Sequence, residues 1–175
     1  GDTDPSSHWA FQPITRPHLP KSKRDNPIDA LLDIRRSAAG ITPLGQADKL
    51  TLIRRLYLDL VGMPPSIDEL SALMTNSSNH WYTDTIEKLL NDPRHGERWG
   101  RHWMDIWRYS DWWGLGAQLR FSQKHIWHWR DWIIESLNDD LPYDEMVRQM
   151  LAADELYLND LDKLRGSGYL ARNWQ

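Results

Sequence analysis

The chain has 175 residues, close to the size of one domain, with 25 acidic against 21 basic side chains and a net charge of -4. That balance excludes a nucleic-acid module, which gathers Lys and Arg into a stripe that displaces counterions from phosphates, and the apolar stretches fall well short of the roughly 20 residues needed to span a bilayer. The chain has no Cys, which excludes disulfides, thiolate zinc sites, iron–sulfur ligation and covalent c-type haem attachment within it.

Residues 1–26 carry Pro5, Pro13, Pro17 and Pro20 with few periodic apolar positions, and read as an extended N-terminal arm. They show no positive start followed by an apolar run, so no signal peptide is read in this chain. A first helix opens with Asn26 as N-cap and Pro27 at the first helical position, carries Ala30, Leu31 and Ile34, and stops at Gly40. A second, over about 47–61, has Leu52, Ile53, Leu56, Tyr57 and Leu60 on one stripe and ends at Gly62. Ser66 followed by Glu69 has the reciprocal spacing of a capping box, which places a short helix to about Met74. A fourth helix spans about 79–90, with Tyr82, Ile86, Leu89 and Leu90 inward. Two Trp-rich helices follow, over about 95–111 and 122–138, joined by the loop WWGLGAQLRF. Pro142 opens a further helix bearing Tyr143, Met146, Val147, Met150 and Leu151, and a last short one covers about 159–165. No strand pair and no internal repeat emerge.

The chain holds 11 Trp, and indoles need both apolar surroundings and an N–H partner, so an aromatic core with polar inserts is implied. On a helical wheel GERWGRHWMDIWRYSD places Trp99, Trp103, Ile106 and Trp107 on one face, with His102 and Tyr109 at its edge. His102, Asp105 and Tyr109 are three and four residues apart, so the acid can orient the imidazole. They form a candidate catalytic set for acid–base chemistry, against the alternative of an edge histidine completing a core network. HIWHWRDWIIESL buries Ile126, Trp129, Trp132, Ile133 and Leu137, with His125 at the border and Trp127 outside. His102 and His125 thus border two aromatic faces able to hold a flat cofactor, and neither belongs to a short-range metal-binding pattern, so no metal site is read.

In the connecting loop, adjacent Trp112 and Trp113 cannot both point inward. An exposed indole beside Arg120 would stack on a sugar ring, which makes Trp112, Trp113 and Arg120 candidate substrate-binding residues; the alternative is that both indoles cap the bundle or meet a neighbouring domain. The loop glycines follow a helix rather than a strand and lack the lysine of a phosphate-binding fingerprint. No serine sits in a nucleophile elbow.

Several segments in order also carry a family resemblance: HWAFQPI, NPIDALL, ADKLTLIRRLYLDLVGMPPS, LLNDPRHGERWGRHWMDIWRYSD, WRDWIIESLNDDLPYDEMVRQMLAADEL and GYLARNWQ. Through them nearly the whole chain resembles the planctomycete cytochrome-associated domain of unknown function, the second domain that follows a planctomycete cytochrome c domain in large exported proteins. The resemblance implies a periplasmic or secreted setting and partner domains that include a c-type cytochrome. It also implies a following segment with a C-x-x-C-H haem c motif, before which this sequence stops, and a link to extracellular polysaccharide. The fold expected is all-α: a single irregular bundle of about six or seven helices over residues 27–175, with the arm at 1–26. The function expected is a helical scaffold that supports haem-linked electron transfer, or alternatively a carbohydrate-binding module or polysaccharide-active enzyme.

Overall fold

Most helix boundaries follow from caps legible in the sequence, and the exceptions come from residues that rarely occupy the backbone they adopt. The computed structural model describes residues 4–19, 26–113 and 121–171. The chain is all-α and divides into two compact units, Gly1–Gln46 and Ala47–Gln175. No helix among the described residues is long and apolar enough to cross a membrane.

In the first unit the arm is extended through residue 19 except for two single-turn 3-10 segments, Pro5–Ser7 and Trp9–Phe11. Helix α1, Pro27–Ala38, starts where Asn26 Oδ1 accepts the Ile28 amide at 2.8 Å. It ends in a Schellman turn, with Gly40 at φ 66° and Ile41 N–H donating to Arg36 O at 2.8 Å.

The second unit begins with α2, Lys49–Leu60, capped by Asp48 and closed at Gly62, whose φ of 74° favours glycine. Helix α3, Ile67–Thr75, opens with the expected capping box between Ser66 and Glu69, and α4 follows at Trp81–Leu90. These three helices enclose a core of Ile53, Leu56, Tyr57, Val61 and Leu89. On α4 the inward positions are Trp81, Ile86 and Leu89, whereas Tyr82 and Leu90, expected inside, are exposed. Trp81 lies one residue from Tyr82, about 100° round the helix, and its larger apolar ring takes the buried place.

Helices α5, Arg94–Ile106, and α6, Trp127–Asn138, form the second core with α7, Tyr143–Leu156. Buried in it are Trp107, Ile126, Trp129, Trp132, Ile133, Met146 and Met150. Helix α7 is kinked at Ala152, where φ and ψ are -146° and 23°. Two single-turn helices, α8 at Leu161–Leu164 and α9 at Gly168–Ala171, flank a 3-10 turn at Arg165–Ser167. Without them the described helices number seven, so the count is close to the six or seven expected, and α8 falls within the short last helix read over about 159–165. A two-residue antiparallel ladder, β1 Trp112–Trp113 with β2 Phe121–Ser122, is the strand pair that the pattern does not foretell; runs of two residues are too short for alternation to register.

The contact between α5 and α6 departs most from the wheel. The residues of α5 buried against α6 are Gly96 and Gly100, with Trp103 and Trp107 continuing the row into the aromatic core. A Cβ on Gly96 would lie 2.4 Å from Ile134 O, and one on Gly100 3.1 Å from Ile134 Cγ1. At Gly96, against main-chain oxygen, only glycine permits that approach, whereas at Gly100 the Ile134 side chain would have to give by a few tenths of an ångström. The N-cap residue Pro93 has no side chain to cap with, so α5 is capped by its neighbours: Asp92 Oδ1 accepts the Arg94 amide at 3.0 Å, and from α6 Asn138 Oδ1 accepts the Gly96 amide at 2.8 Å while Nδ2 donates to Pro93 O at 3.1 Å. The same end of α5 is tied to α2 and α3. His95 Nδ1 lies 3.0 Å from Leu60 O, and Arg94 pairs with Asp92 at 2.6 Å and with Glu69 at 3.5 Å.

Two predictions follow from these ties. Gly96→Ala places a methyl against backbone that cannot rotate away, and should cost about 1–3 kcal/mol or more. That is a fall in thermal midpoint of ~2–4 °C for each kcal/mol, readable by circular dichroism. The second concerns acid. The Ser66 amide holds the Glu69 carboxyl below its ordinary 4.5, and Arg94 holds Asp92 below its ordinary 3.8. A depressed folded value means the unfolded chain binds protons first as pH falls, so this stability is complete above the ordinary values and is lost below them. Thermal midpoints should therefore hold level to about pH 5 and decline beneath it. Glu69→Gln, which keeps the cap but not the charge, should give a shallower decline.

Candidate functional site

The glycine row on α5 decides where its chemistry-bearing side chains point. With Gly96, Gly100, Trp103 and Trp107 turned inward, a stripe about 100° round the wheel carries His95, Trp99, His102 and Ile106 at i, i+4, i+7 and i+11. Their rings are in sequence along the helix: His95 and Trp99 centroids are 6.3 Å apart, Trp99 and His102 5.5 Å. Trp99 is 38% exposed and Ile106 65%, so the expectation that both lie in the core is corrected. The wheel was centred on the indoles, whereas close helix approach selects the glycines.

The expected set His102, Asp105 and Tyr109 is not brought together. His102 is exposed beside Trp99, and Asp105 pairs along the helix with Arg101 at 3.7 Å, both exposed. Tyr109 is no longer helical. A Schellman turn ends α5, with Arg108 at φ 56° and Tyr109 N–H donating to Met104 O at 2.8 Å. That turn carries Tyr109 inward against Trp129, at 5.8 Å between rings, and its hydroxyl donates to Asp111 at 2.6 Å. Burial, and next the Asp111 carboxylate, push the Tyr109 phenol well above the ordinary tyrosine range. Helix α5 thus ends five residues before the predicted 111, because arginine occupies the turn position where glycine would have signalled a stop.

Of the loop residues, Trp112 is 55% exposed, as one of the two adjacent indoles must be. The Trp113 side chain and Arg120 lie outside the described residues. His125 sits apart from His102, in the turn before α6, with its backbone at φ 73° and its ring exposed. It stacks on His128, 6.2 Å away and 23° off parallel, and His128 in turn stacks on Trp127 at 3.6 Å. His125 borders a cleft of about 370 Å³ between the approach to α6 and the segment from Leu164 to Ala171. Lys124, His128, Arg165 and Ser167 also line it, over the buried Trp129.

Neither His128 nor Arg165 was singled out from the sequence. His128 was legible as the i+3 partner of His125, whereas Arg165 depends on a tertiary contact between distant segments. The same holds for Gln149, buried on α7, whose amide oxygen accepts the Trp132 indole N–H at 3.0 Å and whose NH₂ donates to Glu145 at 3.1 Å. Among the described residues no group of three or more His, Cys, Asp or Glu side chains is placed to hold a metal ion.

Fold and surface together define an all-α domain with a glycine-packed helix pair at its centre and aromatic and imidazole groups displayed on its surface. The chain matches the PSCyt2 family model, described as a protein of unknown function (DUF1549), over residues 27–175, and belongs to that family. Comparison with curated proteins and with solved structures found no match.

The exposed and buried aromatic residues should separate cleanly on substitution. His102→Ala and Trp112→Ala, both at exposed positions, should change unfolding free energy by no more than about 0.5 kcal/mol. Trp129→Ala empties a site that is 1% exposed, and should cost about 3–5 kcal/mol in chemical denaturation.

Proposed function

We propose that the domain is a helical scaffold within a large exported, cytochrome-type multidomain protein of planctomycete kind, acting in the periplasm or outside the cell, where it supports haem-linked electron transfer. The observation that carries this reading is the outer stripe of α5. An exposed imidazole, His102, stands beside an exposed indole, Trp99, on a helix whose inward face, about 100° round, is packed through glycine. Such a face suits docking of another domain, and its apolar and aromatic content is what an interdomain contact buries.

The chain has no Cys, so covalent haem attachment would come from a C-x-x-C-H segment elsewhere in the protein. His102 fits the part left to this chain, that of an imidazole that would help hold the haem, because its ring is exposed and meets Trp99 at a tilt, 5.5 Å between centroids. His125, exposed in the cleft before α6, is the other imidazole open to such a role. When bound, a haem supplies one-electron transfer. His102 or His125 would then orient the group and tune its potential. Haem spectra and potentiometry of the full-length protein with and without His102→Ala test the reading. A shifted Soret band or midpoint potential supports it, and an unchanged band and potential remove the ligand role.

Exposure of Trp112 favours a second reading, a carbohydrate-binding surface, since a flat solvent-facing indole stacks on sugar rings. A glycan array, with tryptophan fluorescence recorded on each hit, tests it. Binding lost in Trp112→Ala supports this reading, and an array without hits removes it.

A further inference from the structure

We propose that the cleft before α6 is a binding site for a small organic anion, a carboxylate or phosphate monoester of about monosaccharide size. Its volume of about 370 Å³ lies within the range of small-molecule sites. Four cationic or N–H-bearing side chains converge there from two segments far apart in sequence: Lys124, His125 and His128 from the approach to α6, and Arg165 from the turn after α8. No carboxylate is among the described residues that line it, in a chain that carries four more acidic than basic side chains. An excess of N–H donors on the lining, with the Lys124 charge beside an Arg165 that Glu135 and Asp162 partly offset, favours an anion over a neutral or cationic ligand.

The cleft is also built before any ligand arrives. Arg165 is fixed from behind by Glu135 and by Asp162, the latter at 3.4 Å, which orients its guanidinium while leaving it on the cleft wall. Gly168 packs on Trp129 so closely that a Cβ there would sit 2.4 Å from Trp129 Cβ, so the wall cannot move inward past the indole. The His128 ring stacks on Trp127 at 3.6 Å and lies near-parallel to His125 at 6.2 Å. His125 keeps a left-handed backbone, φ 73°, at a cost that non-glycine residues carry mostly where the surrounding structure fixes them. Preorganised donors lose little freedom on binding, and the apolar sides of Trp129, Ile126 and Leu164 suit the carbon skeleton of an organic anion better than a bare inorganic ion.

The inference is independent of the haem reading, which rests on His102. Glucuronate, glucose 6-phosphate, inorganic phosphate and neutral glucose serve as probes, each titrated into the full chain with two-dimensional amide, indole and imidazole NMR. The expected result is saturable binding of glucuronate or glucose 6-phosphate, with shifts centred on Lys124, His128 and Gly168 and none from glucose. Lys124→Glu and His128→Ala should each weaken it by about tenfold or more, equivalent to ~1.4 kcal/mol, while melting near the parent temperature. His102→Ala should leave it unchanged. Response to glucuronate alone assigns the carboxylate, and to glucose 6-phosphate alone the phosphate ester. Equal response to glucose, response to inorganic phosphate alone, no response to any probe up to about 10 mM, a K_d at the weak limit of specific recognition, or full affinity in Lys124→Glu would overturn the proposal.

Discussion

The close approach of α5 to α6 is the constraint on which the larger unit depends. Two glycines four residues apart let the backbones meet, and no larger residue fits at Gly96, where the neighbour is a main-chain carbonyl rather than a side chain that could swing aside. Close approach brings Asn138 within reach of the first turn of α5, where its amide satisfies one orphan donor and one carbonyl at once. A helix whose proline cap position offers no side chain is therefore closed jointly by Asp92 before it and by its partner helix. The helix pair and the cap depend on each other, because the cap bonds need the separation that only glycine allows.

From that contact the rest of the second unit is arranged. The row continues into Trp103 and Trp107, which seal the aromatic core between α6 and α7. Inside it the indole of Trp132 is satisfied by Gln149, and Gln149 by Glu145, which also accepts the Tyr157 hydroxyl at 2.6 Å. A buried polar chain of this kind fixes one packing arrangement, since any slip of α7 would leave an indole N–H or an amide without a partner. At the other end, Arg94 and His95 carry the restraint to α2 and α3, so the two cores of this unit share α5 as a common element. With its inward face given to glycine, α5 must turn Trp99, His102 and Ile106 to its flank. The display of those groups is thus a consequence of packing, and that is what gives them a place in the proposed function.

Caps and periodicity made the all-α class and most helix positions legible. Asn26, Ser66 with Glu69, and Gly62 mark ends through local chemistry, and the α6 stripe of Ile126, Trp129, Trp132 and Ile133 is buried as the wheel implies. The failures have two sources. Arg108 adopts a left-handed turn at a helix end with no glycine to announce it, and the inward face of α5 is made by residues without side chains, which hydrophobicity cannot weigh. The site was legible in part: His102, His125 and Trp112 were identified and are exposed. The association of Asp105 with Tyr109 failed because it assumed a helix that had already ended. The cleft was hidden, since Arg165 and Gly168 meet His128 and Trp129 only through tertiary packing.

Native-state hydrogen exchange tests the central role of the α5–α6 contact most directly, because it ranks the opening of each helix in one sample. If the glycine row and the Asn138 clip hold the unit together, the amides of Gly96 and Gly100 and the facing amides of α6 should exchange last, with a shared opening free energy equal to that of global unfolding. Exchange of Gly96 and Gly100 through a smaller, local opening, while the amides of α2 and α4 stay protected, would contradict the account.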